Sequence, residues 1–132
     1  MKGNTTENNR QIEPTKAELE ILQVLWEQGP LTVRQVNDQL NENREVNYTS
    51  TLKLMQIMTE KGILTRDERQ MKHIYHVAEK EQTTKDFLLE KFIDTMYNGS
   101  ASRLMMQLMG NKKTSKEDLA TMKELLNKLE QK

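Results

Sequence analysis

Apolar residues recur three or four positions apart in three short segments between Thr15 and Gly62, a spacing that predicts three amphipathic helices. The spacings T-x-x-E at Thr15 and T-x-x-Q at Thr32 match capping boxes, in which two side chains satisfy free amides at a helix start. Asn47 can cap the third helix, and Gly62 can end it. The buried faces are expected to comprise Leu19, Ile21, Leu22, Leu25 and Trp26, then Val33, Val36 and Leu40, then Thr51, Leu54, Met55 and Met58.

The pattern changes to a period of two after Gly62, which predicts two short β-strands at residues 63–67 and 72–77. The polar segment 68–70 can form the turn between them. One face of the second strand is expected to carry Met71, His73, Tyr75 and Val77, and the other face Lys72, Ile74 and His76. Three short helices followed by a hairpin predict a mainly α fold with a small β-hairpin, the arrangement of a winged helix-turn-helix domain.

The rest of the chain contains three more segments of helical spacing, with stop signals at Asn98-Gly99 and Gly110. Three amphipathic helices in about 50 residues cannot bury their apolar stripes on one another, so a second copy of the chain is expected to cover them. The last segment also has a short a/d seam, with apolar residues at spacings of 3, 4 and 3. The residues expected at this dimer interface are Phe92, Met96, Leu104, Leu108, Leu119, Met122, Leu126 and Leu129.

These patterns divide the chain into three predicted parts. Residues 1–12 are polar and are expected to form a disordered tail. Residues 13–80 are predicted to form the winged helix-turn-helix DNA-binding domain, and residues 81–132 the helical dimerisation domain.

Composition narrows the classes of protein to which the chain can belong. The 20 basic and 20 acidic side chains give a formal net charge of zero, which excludes a uniformly basic nucleic-acid coat. No apolar segment is long enough to span a membrane, and the polar start lacks the apolar region of a secretion signal. The absence of cysteine fits a reducing compartment, so we expect a cytoplasmic protein without membrane insertion.

Candidate catalytic and metal-binding groups are few. No cysteine nucleophile, phosphate-binding loop or serine-hydrolase motif is present. His73 and His76 would point to opposite faces of a strand and cannot share a metal ion. Met105, Met106 and Met109 could bind Cu(I), but pliable core packing is the favoured interpretation of methionines at helical spacing. We therefore expect no enzyme, no cofactor and no metal.

The third predicted helix carries the strongest signal for a binding function. Residues 46–59 contain one Lys and no Asp or Glu, although the whole chain is neutral. Its outward side carries Tyr48, Thr49, Ser50, Lys53 and Gln56, groups that can reach base edges and phosphates in a major groove. Four more basic residues are expected to contact the flanking phosphates, namely Arg34, Arg66, Arg69 and Lys72. The alternatives are a polar helix face without a ligand, a winged-helix protein-interaction adaptor, and a regulator gated by a small ligand.

Two stretches of the chain stand out, AELEILQVLWEQGPLTVRQV at residues 17–36 and VNYTSTLKLMQIMTEKGIL at residues 46–64. They resemble the penicillinase repressor (BlaI/MecI) family of winged-helix transcriptional regulators. The later segment FLLEKFIDTMYNGS is similar to the family's dimerisation part. The resemblance implies a homodimeric repressor that binds palindromic operators of β-lactam resistance or related genes. It also assigns recognition of the operator to Thr49, Ser50 and Lys53.

The same resemblance bears on how the repressor would leave DNA. In the best-known members, a membrane sensor leads to proteolysis of the repressor at an Asn-Phe bond in the dimerisation part. The matching position in this chain is Gln107-Leu108, so that bond is absent. Copper-responsive relatives use a C-terminal cysteine cluster, which this chain lacks. The resemblance therefore implies a link to a sensor-dependent protease, but without the usual cleavage sequence.

Overall fold

The first three helices begin at the residues whose side chains can cap them. The computed structural model describes residues 12–131, so the first eleven residues of the predicted tail lie outside the described residues. Thr15 and Thr32 form complete capping boxes with Glu18 and Gln35, and the Asn47 side chain accepts a hydrogen bond from a backbone amide in the next turn. The helices are α1 (Lys16–Gln28), α2 (Val33–Leu40) and α3 (Tyr48–Glu60).

A two-stranded antiparallel hairpin follows, made of β1 (Leu64–Asp67) and β2 (Ile74–Val77). Leu31, between α1 and α2, extends the hairpin because it exchanges two backbone hydrogen bonds with Tyr75, at 2.9 and 3.3 Å. The second strand is shorter than predicted. Its expected first residues, together with Met71, lie in the connecting loop, where Met71 is fully exposed. Of the face expected to carry Met71, His73, Tyr75 and Val77, only Tyr75 is fully buried.

The core joins the three helices to the hairpin, because each contributes apolar side chains to one cluster. Burial of such side chains removes apolar surface from water, which is the main favourable term in folding. Leu19, Trp26, Leu40 and Leu54, which were predicted to be buried, are only partly buried at the edge of this cluster. The buried members are Ile21, Leu22, Leu25, Val33, Val36, Met55, Met58, Leu64 and Tyr75.

One ion pair ties α1 to the end of α3. Lys61 donates to both carboxylate oxygens of Glu18, at 2.8 and 2.9 Å, and Glu18 is only 1% exposed. Burial would raise the pKa of Glu18, but the Lys61 ammonium and the Thr15 amide outweigh burial, and the pKa lies below its ordinary value. Glu18 therefore caps α1 and also binds Lys61, which lies 43 residues further along the chain.

The chain divides into two compact units between Phe87 and Leu88. This division falls inside α4 (Glu81–Tyr97), whereas the predicted domain boundary coincides with the start of that helix. The beginning of α4 belongs to the first unit, in which Thr84 is buried and Lys85 lies over the Trp26 ring at 5.3 Å.

The second unit contains the rest of α4, followed by α5 (Ala101–Met109) and α6 (Lys116–Glu130). Ser100 and Ser115 cap α5 and α6. Asn98 and Gly99 have φ angles of 49° and 81°, the left-handed conformation that ends α4. Among the described residues, neither α5 nor α6 contains a fully buried side chain. None of the helices in residues 12–131 combines the length and the apolar character that a membrane span requires.

Candidate nucleic-acid interface

The exposed side of α3 carries the five polar residues that the sequence singled out. Tyr48, Thr49, Ser50, Lys53 and Gln56 are all exposed. The opposite side of the helix is held by the core through the buried residues Thr51, Met55 and Met58. No acidic side chain lies on α3 before its last residue, so the exposed N-terminal half presents hydrogen-bonding groups and one positive charge.

A groove separates this part of α3 from the hairpin loop. The Arg34 guanidinium stacks over the Tyr48 ring, 4.5 Å from the ring centroid, so this contact joins α2 to α3 beside the groove. Lys72 and His73 line the groove from the loop, and Thr32 and Val33 line it from the capped start of α2. The groove therefore gathers cationic and hydrogen-bonding groups from three separate elements.

The arginines of the hairpin are paired with neighbouring acids. Arg69 contacts both carboxylate oxygens of Asp67, at 2.8 and 3.0 Å, and Arg66 contacts Glu68 at 2.6 Å. The Arg69 side chain and backbone amide hold the pKa of Asp67 well below its ordinary value. Each pair has no net charge, so neither arginine presents an uncompensated positive charge.

Lys53 and Lys72 differ from these arginines. Both are exposed, and neither forms an ion pair within residues 12–131. Their charge is thus available to a ligand without the loss of an existing contact. The sequence did not predict that Arg69 would already be paired, because its contact with Asp67 depends on the loop conformation and not on a periodic pattern.

A hydrogen-bond network missed by the sequence analysis joins α2 to the start of α3. Asn37 is 4% exposed, and its Nδ2 donates to Thr51 Oγ1 at 2.8 Å and to the Val46 carbonyl at 3.0 Å. Asn41 Nδ2 also donates to the Val46 carbonyl, and Asn41 Oδ1 accepts from the Val46 amide, at 2.8 and 3.0 Å. The sequence does indicate that Asn37 is buried, because it lies on the same helical stripe as Val33, Val36 and Leu40.

Comparison with known proteins decides the family. A family model described as Penicillinase repressor matches residues 14–128. The chain belongs to the penicillinase repressor family. This confirms the resemblance found in the sequence, and the members of this family are transcriptional regulators rather than enzymes. No curated protein sequence gives a significant match.

The fold of this penicillinase repressor family member is similar to a solved structure described as a MarR family protein from Bacillus stearothermophilus. The identity is 22%, the match covers 98% of this chain and 80% of that chain, and the TM-score is 0.53. At this identity the likeness supports the fold alone, and it confirms the predicted fold class. Family and fold together make the chain a DNA-binding transcriptional regulator.

The second unit of this regulator exposes several large apolar side chains. Among the predicted dimerisation residues, Phe92, Met96, Leu126 and Leu129 are 45–64% exposed. Those that are only half-buried in the single chain are Leu104, Leu108, Leu119 and Met122. Met106 and Met109, for which core packing was the favoured interpretation, are also exposed, and so are Leu89 and Leu125, which were not among the predicted interface residues.

Two smaller predictions concern the same unit. Gln107 is exposed and Leu108 half-buried, and both lie inside α5, so the bond between them is in regular helix. Met105 is half-buried, whereas Met106 and Met109 are exposed. Within residues 12–131, no group of three or more His, Asp or Glu side chains is arranged to hold a metal ion.

Proposed function

We propose that this protein is a homodimeric transcriptional repressor that places one α3 from each subunit in the major groove of a palindromic operator. The observation that carries the proposal is the exposed, acid-free half of α3 that begins at Tyr48. The start of a helix also carries positive partial charge, which favours nearby phosphates. The expected contact residues are Tyr48, Thr49, Ser50, Lys53, Gln56, Arg34, Arg66, Arg69 and Lys72.

Within this proposal, the residues have different roles. Thr49, Ser50 and Lys53 project from the first two turns of α3 and contact base edges, because side chains at the start of a recognition helix reach furthest into the groove. Arg34 and Lys72, which both line the groove between α3 and the hairpin loop, contact phosphates. Arg66 and Arg69 contribute less to binding than Arg34 and Lys72, because Glu68 and Asp67 pair with them and bring negative charge close to the DNA.

The exposed apolar side chains of the second unit support a dimer of two copies of this chain. Large contiguous apolar patches are rare on soluble monomers and mark interaction sites. Phe92, Met96, Leu126 and Leu129 lie within the sequence span that matches the repressor family, from residue 14 to residue 128, or next to its end. Linking two DNA-binding domains makes the second contact intramolecular and increases the affinity for a paired site.

Repression follows if the dimer occupies a promoter and thereby blocks polymerase. The regulated genes are expected to be of the resistance type, and the site of action is the cytoplasm, where operator DNA is found. A protease linked to a membrane sensor could release the DNA by cutting the second unit, since separated subunits lose the advantage of paired binding. Cleavage between Gln107 and Leu108 would require α5 to unwind locally.

Selection from a pool of random DNA duplexes with the full chain tests this function. We expect enrichment of inverted half-sites whose centres lie about 10 base pairs apart, or a multiple of that spacing. A binding isotherm with two subunits per duplex should accompany them. Enrichment of no duplex would contradict the proposal and would favour a protein-interaction adaptor. Enrichment of single half-sites would contradict the dimer.

A further inference from the structure

We infer that Asn37 is a positioning residue for operator recognition, and that it sets the orientation of α3 through its hydrogen bond to Thr51. This inference rests on the proposed DNA-binding function. Neither residue contacts DNA in the proposal, because Asn37 is 4% exposed and Thr51 is 1% exposed. Their effect on recognition would be transmitted through the position of the helix that carries Thr49, Ser50 and Lys53.

Four hydrogen bonds connect the end of α2 with the start of α3 and the segment before it. Asn37 holds Thr51 in the first turn of α3, while Asn37 and Asn41 both hold the carbonyl of Val46, just before the helix cap. Asn41 Nδ2 also donates to the backbone carbonyl of Asn37 at 2.8 Å. The last turn of α2 is thereby joined to the segment that leads directly into the recognition surface.

Apolar packing alone would hold α3 less specifically. The fully buried apolar residues on its inner face are Met55 and Met58. Methionine has three rotatable bonds and adapts to different packings, so it tolerates small rotations of a helix. A buried hydrogen bond is directional, and its loss leaves a polar group without a partner in the core. Thr51 therefore restricts the rotation of α3 in a way that the methionines do not.

Rotation of α3 would affect the two kinds of DNA contact unequally. Hydrogen bonds to base edges require side chains to meet particular donors and acceptors, whereas phosphate contacts depend mainly on charge. Loss of the Asn37–Thr51 contact should therefore lower the ratio of operator affinity to non-specific affinity. Binding to non-specific duplex should stay nearly unchanged.

The decisive comparison uses Thr51→Val, which removes the hydroxyl acceptor with little change of shape, and Thr51→Ser, which keeps it. Asn37→Leu provides a second test from the other side of the bond. The control is Val36→Ala. Val36 is fully buried next to Asn37 on α2, and its truncation reduces stability by leaving a cavity. Affinities are measured at one salt concentration for the selected duplex and for a scrambled duplex, well below the unfolding temperature of every variant.

We expect Thr51→Val and Asn37→Leu to lower the affinity ratio about tenfold, comparable with the loss of one base contact. Thr51→Ser and Val36→Ala should keep the ratio of the unsubstituted protein. An unchanged ratio in Thr51→Val would overturn the inference and leave the proposed function intact, as would an equal decrease in Val36→Ala. If Asn37→Leu does not fold, the Thr51 pair decides. If the unsubstituted chain selects no duplex, the proposed function fails, and the inference fails with it.

Discussion

Lys61, immediately after α3, contacts both carboxylate oxygens of Glu18 in the first turn of α1. The pair links two ends of the first unit, because it joins the beginning of α1 to the end of α3. Removal of one member of a buried ion pair leaves the other charge without compensation, which costs more than the intact pair contributes. This asymmetry gives the pair a measurable effect on stability.

Lys61→Met should lower the free energy of unfolding by about 3 kcal/mol at neutral pH, because the buried Glu18 carboxylate loses its cation. The measurement is urea denaturation followed by circular dichroism. Lys53→Met is the matched control, since Lys53 is exposed on the adjoining helix and forms no ion pair within the described residues. Equal stability of the two variants would show that the contact contributes little.

The same pair predicts a dependence of stability on pH. The pKa of Glu18 is lower in the folded protein than its ordinary value of 4.5, so the folded state favours the ionised carboxylate. The stabilisation is therefore complete above pH 4.5 and is lost as the pH falls through the folded-state pKa. Glu18→Gln should remove this part of the acid dependence. Identical loss of stability in acid for Glu18→Gln and the unsubstituted protein would contradict the prediction.

Lys53→Ala tests the centre of the proposed interface. If Lys53 contacts a base edge, we expect operator binding to weaken by about 1–3 kcal/mol and the preference at one base position to relax. If it contacts a phosphate, the slope of log affinity against log salt should decrease by about one unit for every duplex. Lys123→Ala, an exposed position on α6, is the control. Unchanged affinity and slope would remove Lys53 from the site.

The ion pairs of the hairpin predict different effects for neighbouring cations. Lys72→Ala should reduce the salt slope by about 0.9, because an unpaired lysine displaces a counterion from DNA. Arg69→Ala should reduce it less, since Asp67 already neutralises that guanidinium. Asp67→Asn should strengthen binding by removing an acid beside the DNA. A larger change for Arg69→Ala than for Lys72→Ala would show that the pair opens on binding.

Leu126→Asp should convert the proposed dimer to monomers, because the new carboxylate would be buried in the interface without a partner. Light scattering measures the mass directly. Ala120→Asp introduces the same charge at an exposed position on the other side of α6 and should leave the dimer intact. A Leu126→Asp variant that stays dimeric would place the interface elsewhere in the second unit.

The sequence by itself determined the helical elements and the face of α3 that meets solvent. The side chains of Thr15, Thr32 and Asn47 each accept a hydrogen bond from the backbone amide three residues later. Helical periodicity places Met55 and Met58 opposite Lys53. These interactions are local, so sequence spacing is sufficient to predict them. The match to the repressor family, over residues 14–128, includes these segments.

Tertiary structure alone decided which polar groups are free and which are already bound. Glu18 meets Lys61, and Asn37 meets Thr51, only after α1, α2 and α3 have packed together. The pairing of Arg69 with Asp67 depends on the conformation of a loop that has no periodic pattern. Contacts between distant residues arise from packing geometry and loop conformation, and neither is encoded in the spacing of residue types along the chain.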